Sequence, residues 1–542
     1  MVELAIVGMV ALLIHAFAFS ASQLWVCPDT SYYIALAGGL AERFDFANEL
    51  FLIRPPGYPV FLAGIFVIFG SVSPIAILVA QHGLVLGVTI ITALIAWHLT
   101  QRRSMVILCG LFSAMSLQLL AFSNVLIAEA PYTFVLVLAV YFLVRYVREG
   151  ERRFVAWASF GAGIACLIRP TGLSIVGICL LVAANRAWTR IRWREVEGTP
   201  FRLRKTEGRG KRTALSKAIK RPSRIPPWCR IVGMELGFAL LPALIAVTPV
   251  TVLNAYHHGS GLTGNCASLA LYHRLAAMDG LDAPQSAAFA EIRTVVEEAI
   301  TREEIPAHAN YRHWGPVWHA YEAVRDRSLV ESAAIMGRAN HDLIREHLGS
   351  VIKNTLRYAY WMVMVPDSFY RFQPGGAPGV QTSNGEYVRE ARAAIFDVST
   401  YTKLMEPWVA PYAEYVTLQS APAYASPAWR AIAEWFYVNI EAGPSIFGMV
   451  DSPYEEFGWL CIIGMIAVLG TRERFAWLVV AGVIFLQIVP SAFLAGPTPR
   501  YAIPIKPLMI LYGAYVVVTV ARTFGLTVQS AWFLCRRRLR AA

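Results

Sequence analysis

Residues 54–70 read RPPGYPVFLAGIFVIFG, and whether this stretch crosses a bilayer sets the sense of every segment after it. Its apolar part, Tyr58 to Phe69, is about 12 residues, which at about 1.5 Å each reach only about 20 Å, short of a hydrocarbon core of about 30 Å. Pro55 and Pro56 stop any helix from extending upstream, so the reach cannot be lengthened. A second piece, Val351 to Val365, is similarly short. Counting either piece as a span would invert everything that follows it.

The rest of the chain is the sequence of an integral membrane protein. Hydrophobic residues make up 56% of its 542 residues and charged ones only 15%, outside the range of ordinary soluble domains. Ten runs are candidate spans: Leu4–Leu24, Ile75–His98, Met105–Ala121, Val125–Tyr146, Phe154–Ile168, Leu173–Trp188, Ile231–Leu253, Phe457–Leu469, Phe475–Phe493 and Ile503–Arg522. The first lacks a cationic leader and reads as a retained helix. The predicted fold class is therefore an all-α polytopic membrane protein of about ten transmembrane helices, with added interfacial helices and a mostly helical external domain.

Charge chooses between the topologies. The net charge is +12, and the segment Arg186–Arg230 alone holds fifteen Lys and Arg against three Glu, an excess equal to that of the whole chain. A basic block confined to one loop reports the cytoplasmic side of a membrane, which disfavours nucleic acid as a partner. With ten spans and a cytoplasmic N-terminus, Arg102–Arg103, RYVREGERR, the Arg186–Arg230 loop, TRER and the C-terminal CRRRLR all face the cytoplasm. Residues 54–70 and 351–365 then lie against the outer leaflet of the plasma or inner membrane. The expected organisation is a transmembrane module over 1–253, with a first external loop at 25–74 and a basic cytoplasmic loop at 186–230. An extracytoplasmic domain follows over 254–456, with its interfacial helix near 351–365, and a second transmembrane module covers 457–542.

The same topology gathers Asp29, Arg54, Glu129, Arg169 and Arg500 at the external rim. Asp29, in PDTSYY, either caps a helix or acts as a base. Arg54 either snorkels to headgroups or holds a phosphate with its planar fork. Glu129, in LIAEAPYTF, is an acid in an apolar run and a functional candidate by default. Arg169 and Arg500 mark two further external turns, and Tyr33, Tyr58 and Tyr501 would line the substrate. Such a set suits an anionic, lipid-borne headgroup, with cations on phosphate and a carboxylate facing an incoming hydroxyl. Asp29 and Glu129 are also the candidate ligands should Mg²⁺ or Mn²⁺ assist. The eight cysteines show no metal-binding spacing, although Cys27 and Cys266 could pair on the outer side.

PDTSYYIALAGGL, RPPGYPVFLAGIFVIFG, EAPYTF, RPTGL and RYAIPIKPL, in that order, resemble the GT-C superfamily of membrane glycosyltransferases that use polyprenyl-phosphate sugars. The pattern is similar to protein O-mannosyltransferase-like enzymes and to aminoarabinose transferases. It covers the first 190 residues best and the last 90 loosely. The resemblance implies Asp29 as the catalytic acid of the first external loop, Glu129 as the second acid and Arg54 as the contact to lipid phosphate. It implies an inverting transfer to a hydroxyl of a protein, lipid or cell-envelope glycan. Many members carry two adjacent acids in the first loop, whereas Thr30 follows Asp29 here, which leaves metal dependence open. The external domain, including Tyr311–Trp318 and Asp451–Glu456, would present the acceptor. The alternatives are a flippase for lipid-linked sugars and a non-catalytic lipid-binding relative.

Overall fold

The chain's computed structural model describes residues 2–21, 28–70, 72–196, 227–259, 266–305, 307, 309–312, 314–364, 456–496 and 502–541, and among these every regular element is a helix. Helix α1 (Val2–Ala21) is followed by α2 (Pro28–Arg43), a 3₁₀ turn at Glu49–Leu52 and α3 (Gly57–Phe69). Pro74 and the Ser73 hydroxyl, which accepts from the Ala76 N–H at 3.3 Å, start α4 (Pro74–Thr100). Helices α5 (Arg103–Ala114) and α6 (Leu117–Asn124) form a pair bent by 49°. Then come α7 (Glu129–Glu149), α8 (Arg152–Ile168), α9 (Leu173–Val196) and α10 (Pro227–His258).

Four helices follow α10: α11 (Cys266–Tyr272, running on as a π-helical stretch to Met278), α12 (Ala287–Thr301), α13 (Trp314–Arg325) and α14 (Leu329–Met364). The last is broken at His347, whose φ of −124° and ψ of 29° leave the helical region. The chain closes with α15 (Glu456–Ala467), α16 (Arg474–Ala495) and α17 (Lys506–Ala541).

Seven of these helices are long and apolar enough to cross a membrane, namely α1, α4, α7, α9, α10, α16 and α17, and the bent α5–α6 pair makes eight. The expected ten differ from this count for a reason of length. At about 1.5 Å per residue, the 17 residues of α8 reach about 26 Å and the 12 of α15 about 18 Å. Helix α8 nonetheless packs along both α7 and α10, with Arg152 near its start paired to Glu235 of α10 and Arg169 just past its end paired to Glu129 of α7 at the opposite end of the bundle. The short α3 buries Tyr58, Leu62, Ile65 and Phe66 against α2 and α8 and leaves Val60, Val67, Ile68 and Phe69 exposed, an apolar face suited to lipid.

Three sequence-based boundaries shift. Helix α9 carries Arg186 onward to Val196, and α10 starts at Pro227, so only 197–226 of the basic loop separates them, outside the described residues. Glu129 opens α7 where a span from Val125 was expected, because Val125–Ala128 leave the helix. The Val351–Val365 piece falls in the part of α14 that follows the break at His347 and runs to Met364, so its helix begins a few residues earlier than expected.

Helices approach where side chains are small, as membrane helices do. Ser159 and Gly163 of α8 face Ala239 and Ala243 of α10: the Ser159 hydroxyl donates to the Ala239 carbonyl at 2.7 Å, and a Cβ on Gly163 would lie 2.8 Å from the Ala243 oxygen. A Cβ on Gly57 would lie 2.7 Å from the Leu167 carbonyl oxygen, so α3 can reach the end of α8 only through glycine. Gly57→Ala should lower stability by about 1–3 kcal/mol, read as a drop in Tm of the detergent-solubilised protein. Gly64→Ala, where nothing lies within 4 Å, should instead be neutral or gain up to about 1 kcal/mol. Equal Tm values for the two variants would contradict this packing.

Candidate active site

Both candidate carboxylates sit in the first turn of a helix, Asp29 in α2 and Glu129 in α7, where unpaired backbone N–H groups favour negative charge. Each meets an arginine from a neighbouring loop. Arg54, whose N–H bonds the Leu50 carbonyl at 2.8 Å, follows the 3₁₀ turn and donates Nη2 to Asp29 Oδ1 at 2.5 Å. Arg169, whose N–H closes α8 on the Ala165 carbonyl at 2.8 Å, donates Nη2 to Glu129 Oε1. The two pairs differ in access: the Asp29 and Arg54 side chains are each 16% exposed, whereas Glu129 is 1% and Arg169 12%.

Local contacts hold the pairs side by side. The Thr30 hydroxyl donates to the Leu126 carbonyl at 2.9 Å, tying the start of α2 to the segment that precedes Glu129. The Gly57 contact brings the Arg54 loop onto the end of α8 beside Arg169. Gln81 of α4 donates Nε2 to the Ser123 and Val125 carbonyls at 3.1 and 3.0 Å and accepts the Tyr58 hydroxyl at 2.8 Å. Behind Arg169, the Tyr132 hydroxyl donates to Gln487 Oε1 at 2.8 Å, and Gln487 Nε2 donates to the Thr171 carbonyl and to Ser174 Oγ. Helices α7, α9 and α16 are thereby pinned around the RPTGL turn.

Tyr33 lies among all four charges. The Arg54 guanidinium stands over the rings of Tyr32 and Tyr33, 5.2 and 5.8 Å from their centroids. Burial drives the Tyr33 hydroxyl well above the usual phenol range; Arg54 and Arg169 pull against that shift, while Asp29 and Glu129 add to it. A phenol held this high stays protonated, so it is available as a hydrogen-bond donor and not as a base. Tyr58, expected to line the substrate, is fully buried behind Tyr33, with its ring edge-on at 4.8 Å.

Asp29, Arg54, Glu129, Arg169 and Tyr33 thus converge. Arg500, Tyr501 and the Cys27–Cys266 pairing lie outside the described residues. Among the described residues no group of three or more His, Cys, Asp or Glu side chains could hold a metal ion. Asp29 and Glu129 each carry a guanidinium on one oxygen, whose positive charge opposes a divalent cation there, so among the described residues the two carboxylates do not by themselves form a cation site.

No family model matches the sequence, and no curated protein matches it. Among solved structures, the chain is similar to the Archaeoglobus fulgidus oligosaccharyltransferase in complex with zinc and sulfate. Sequence identity is 10% and the TM-score 0.43, over 98% of this chain and 51% of that one. It is also similar to the archaeal oligosaccharyltransferase AglB from Archaeoglobus fulgidus in complex with an inhibitory peptide and a dolichol-phosphate, at 9% identity and a TM-score of 0.42, over 97% of this chain and 51% of that one. The chain spans about half the length of both. At this level the likeness bears no weight in the chemistry, which rests on the side chains themselves.

Several site-supporting residues escaped the sequence reading. Tyr132 is three positions after Glu129, on the same helical face, and the Arg169 guanidinium lies 5.8 Å from its ring centroid. Lys506, within RYAIPIKPL, is buried and donates Nζ to Gln118 Oε1 at 2.7 Å. Gln487, Gln81 and Gln118 sit in apolar runs, and an uncharged amide inside a span was a signal available from the sequence. Trp318, expected to present an acceptor, is 3% exposed and packs inside the α11–α14 cluster.

Arg169→Ala would strip the buried Glu129 of its guanidinium, at a cost of about 3–5 kcal/mol. Adding Glu129→Gln should restore most of the loss, as a double-mutant cycle on thermal unfolding would show. Additive losses would mean the pair does not stabilise the fold.

Proposed function

We propose that the chain is a membrane glycosyltransferase that moves a sugar from a polyprenyl-phosphate donor to a hydroxyl of a protein, lipid or cell-envelope glycan. The active site would lie at the extracytoplasmic end of the bundle. The observation that carries this reading is the convergence of the Asp29–Arg54 and Glu129–Arg169 pairs around Tyr33 at one end of the helices. Arginine-rich segments crowd the other end, where Arg145, Arg148, Arg152, Arg153, Arg186 and Arg190 stand, in keeping with a cytoplasmic face.

The chemistry follows from the pairing. A guanidinium fork that accommodates a carboxylate accommodates a phosphate equally well. A donor phosphate entering the site competes with Asp29 for Arg54 and leaves a carboxylate oxygen open to the acceptor. Asp29 then takes the acceptor's hydroxyl proton as that oxygen attacks the anomeric carbon. The bond from carbon to phosphate oxygen breaks, and the polyprenyl phosphate leaves with its added negative charge held by Arg54 and Arg169. Attack opposite the leaving group inverts the anomeric centre. Tyr33 remains protonated and donates to the phosphate or the sugar. Asp29, the more exposed acid, serves as base; Glu129, almost wholly enclosed, holds Arg169 in place. No step requires a metal.

Purified protein supplied with polyprenyl-phosphate sugars and an acceptor should consume donor, and Asp29→Asn should lower kcat by about 10²–10⁴-fold while donor binding persists. Full turnover by Asp29→Asn would sink the assignment. Chelation with EDTA should leave turnover within about twofold, because the described carboxylates do not form a cation site. Comparing envelope glycans by mass spectrometry with and without the gene would identify the sugar as one missing unit.

A further inference from the structure

At the opposite end of the bundle, three arginines line a cavity that the proposed reaction does not use. Helix α7 ends at Gly150, whose φ of 77° places it in the left-handed region. The tight turn lets α8 begin at once with Arg152, while α9 runs far enough to bring Arg186 and Arg190, one helical turn apart, alongside. With Asn185, Thr189 and Phe475 they line a cavity of about 600 Å³, within the range of small-molecule sites.

The charges do not balance. Glu235 of α10, wholly buried, takes Arg152 Nε at 2.9 Å and Arg190 Nη1 on one oxygen and the Tyr146 hydroxyl at 2.6 Å on the other. Among the described residues around the cavity, one carboxylate stands against three guanidiniums, an excess of two positive charges. Capping of α7 explains part of the arrangement: Arg186 Nη1 donates to the Val147 carbonyl at 3.3 Å and Arg190 Nη2 to that of Gly150 at 3.2 Å. It does not explain the open volume, nor the enclosed Arg186 Nε, which makes no hydrogen bond among the described residues. A buried donor on a cation beside a cavity lacks an acceptor, and an anion with several oxygens would supply one.

We propose that this cavity binds the phosphate headgroup of an anionic membrane lipid. Val147, Val182 and Ile231 supply an apolar wall beside the arginines, and the exposed Leu181 and Trp188 on α9 present apolar surface to lipid nearby. A basic pocket between membrane helices is where such headgroups settle.

The test uses the full chain in phosphatidylcholine nanodiscs doped with phosphatidylglycerol, with retained lipid counted by native mass spectrometry. The wild type should retain phosphatidylglycerol over phosphatidylcholine, and Arg186→Gln should weaken that preference about tenfold, the effect of one charge-assisted contact. Arg153→Gln, a control at the same end whose arginine is exposed and pairs with Glu151, should change nothing. Arg186→Lys, which keeps the charge and loses the fork, should fall between and stands in if the glutamine variant does not fold. Wild-type retention by both Arg186 variants, or an equal loss in Arg153→Gln, would overturn the site. Glycerol 3-phosphate forms the second arm: if it binds and phosphatidylglycerol is retained no better than phosphatidylcholine, the phosphate chemistry stands but the lipid source is overturned.

Discussion

The constraint on which the rest of the site depends is the burial of Glu129. A carboxylate almost wholly withdrawn from solvent at the start of a membrane helix is costly unless a cation and hydrogen-bond donors meet it. Arg169 meets it from just beyond α8, so α7 and α8 must run antiparallel and end level. That registry sets the positions of the RPTGL turn and of Gly57, which rests on the last residues of α8. Arg54, three residues before Gly57, then has little freedom over where its guanidinium lies. The exposed pair is placed by the buried one.

This hierarchy gives the two ion pairs different work. A pair enclosed as Glu129–Arg169 resists exchange, because each partner loses more by separation than a ligand readily returns, so in the proposed reaction Arg169 acts on the phosphate through its charge and remaining N–H groups without leaving Glu129. The Asp29–Arg54 pair is open enough for a ligand oxygen to replace the carboxylate, and the aromatic faces of Tyr32 and Tyr33 keep the guanidinium in place while that happens. In the proposed reaction, an entering phosphate would therefore free Asp29 to act as the base. The resting ion pair keeps Asp29 engaged until then.

Much of this was legible in the sequence, for identifiable reasons. Scarce charge in an apolar chain makes each charged residue informative, so Asp29, Arg54, Glu129 and Arg169 stood out before any coordinates. The parity of basic loops placed them at one end, and Pro55 and Pro56 marked α3 as too short to cross. Which acid pairs with which arginine was not legible, because it depends on the registry of α7 against α8 and on a glycine contact over a hundred residues away in sequence. Where the apolar runs shorten or break was not legible either. Hydropathy sees apolar length, whereas α8 is short and the Met105–Ala121 run is broken at Met115–Ser116. The glutamines and Tyr132 were missed because neutral polar groups look unremarkable in composition, although in a bundle interior their hydrogen bonds fix helix to helix.

The two ends of the bundle solve the same electrostatic problem with different stoichiometry. At the Asp29 end, two carboxylates answer two guanidiniums, so the described site is close to neutral and its cations are already occupied. An anion arriving there must displace a carboxylate, which suits a substrate that comes and goes. Around the cavity at the Glu235 end, one carboxylate answers three guanidiniums among the described residues, so an anion adds to the site without displacing that carboxylate. Exchange favours turnover, whereas addition favours retention. That distinction, read from counted charges and their burial, is the physical reason for assigning the reaction to one end and a held lipid to the other.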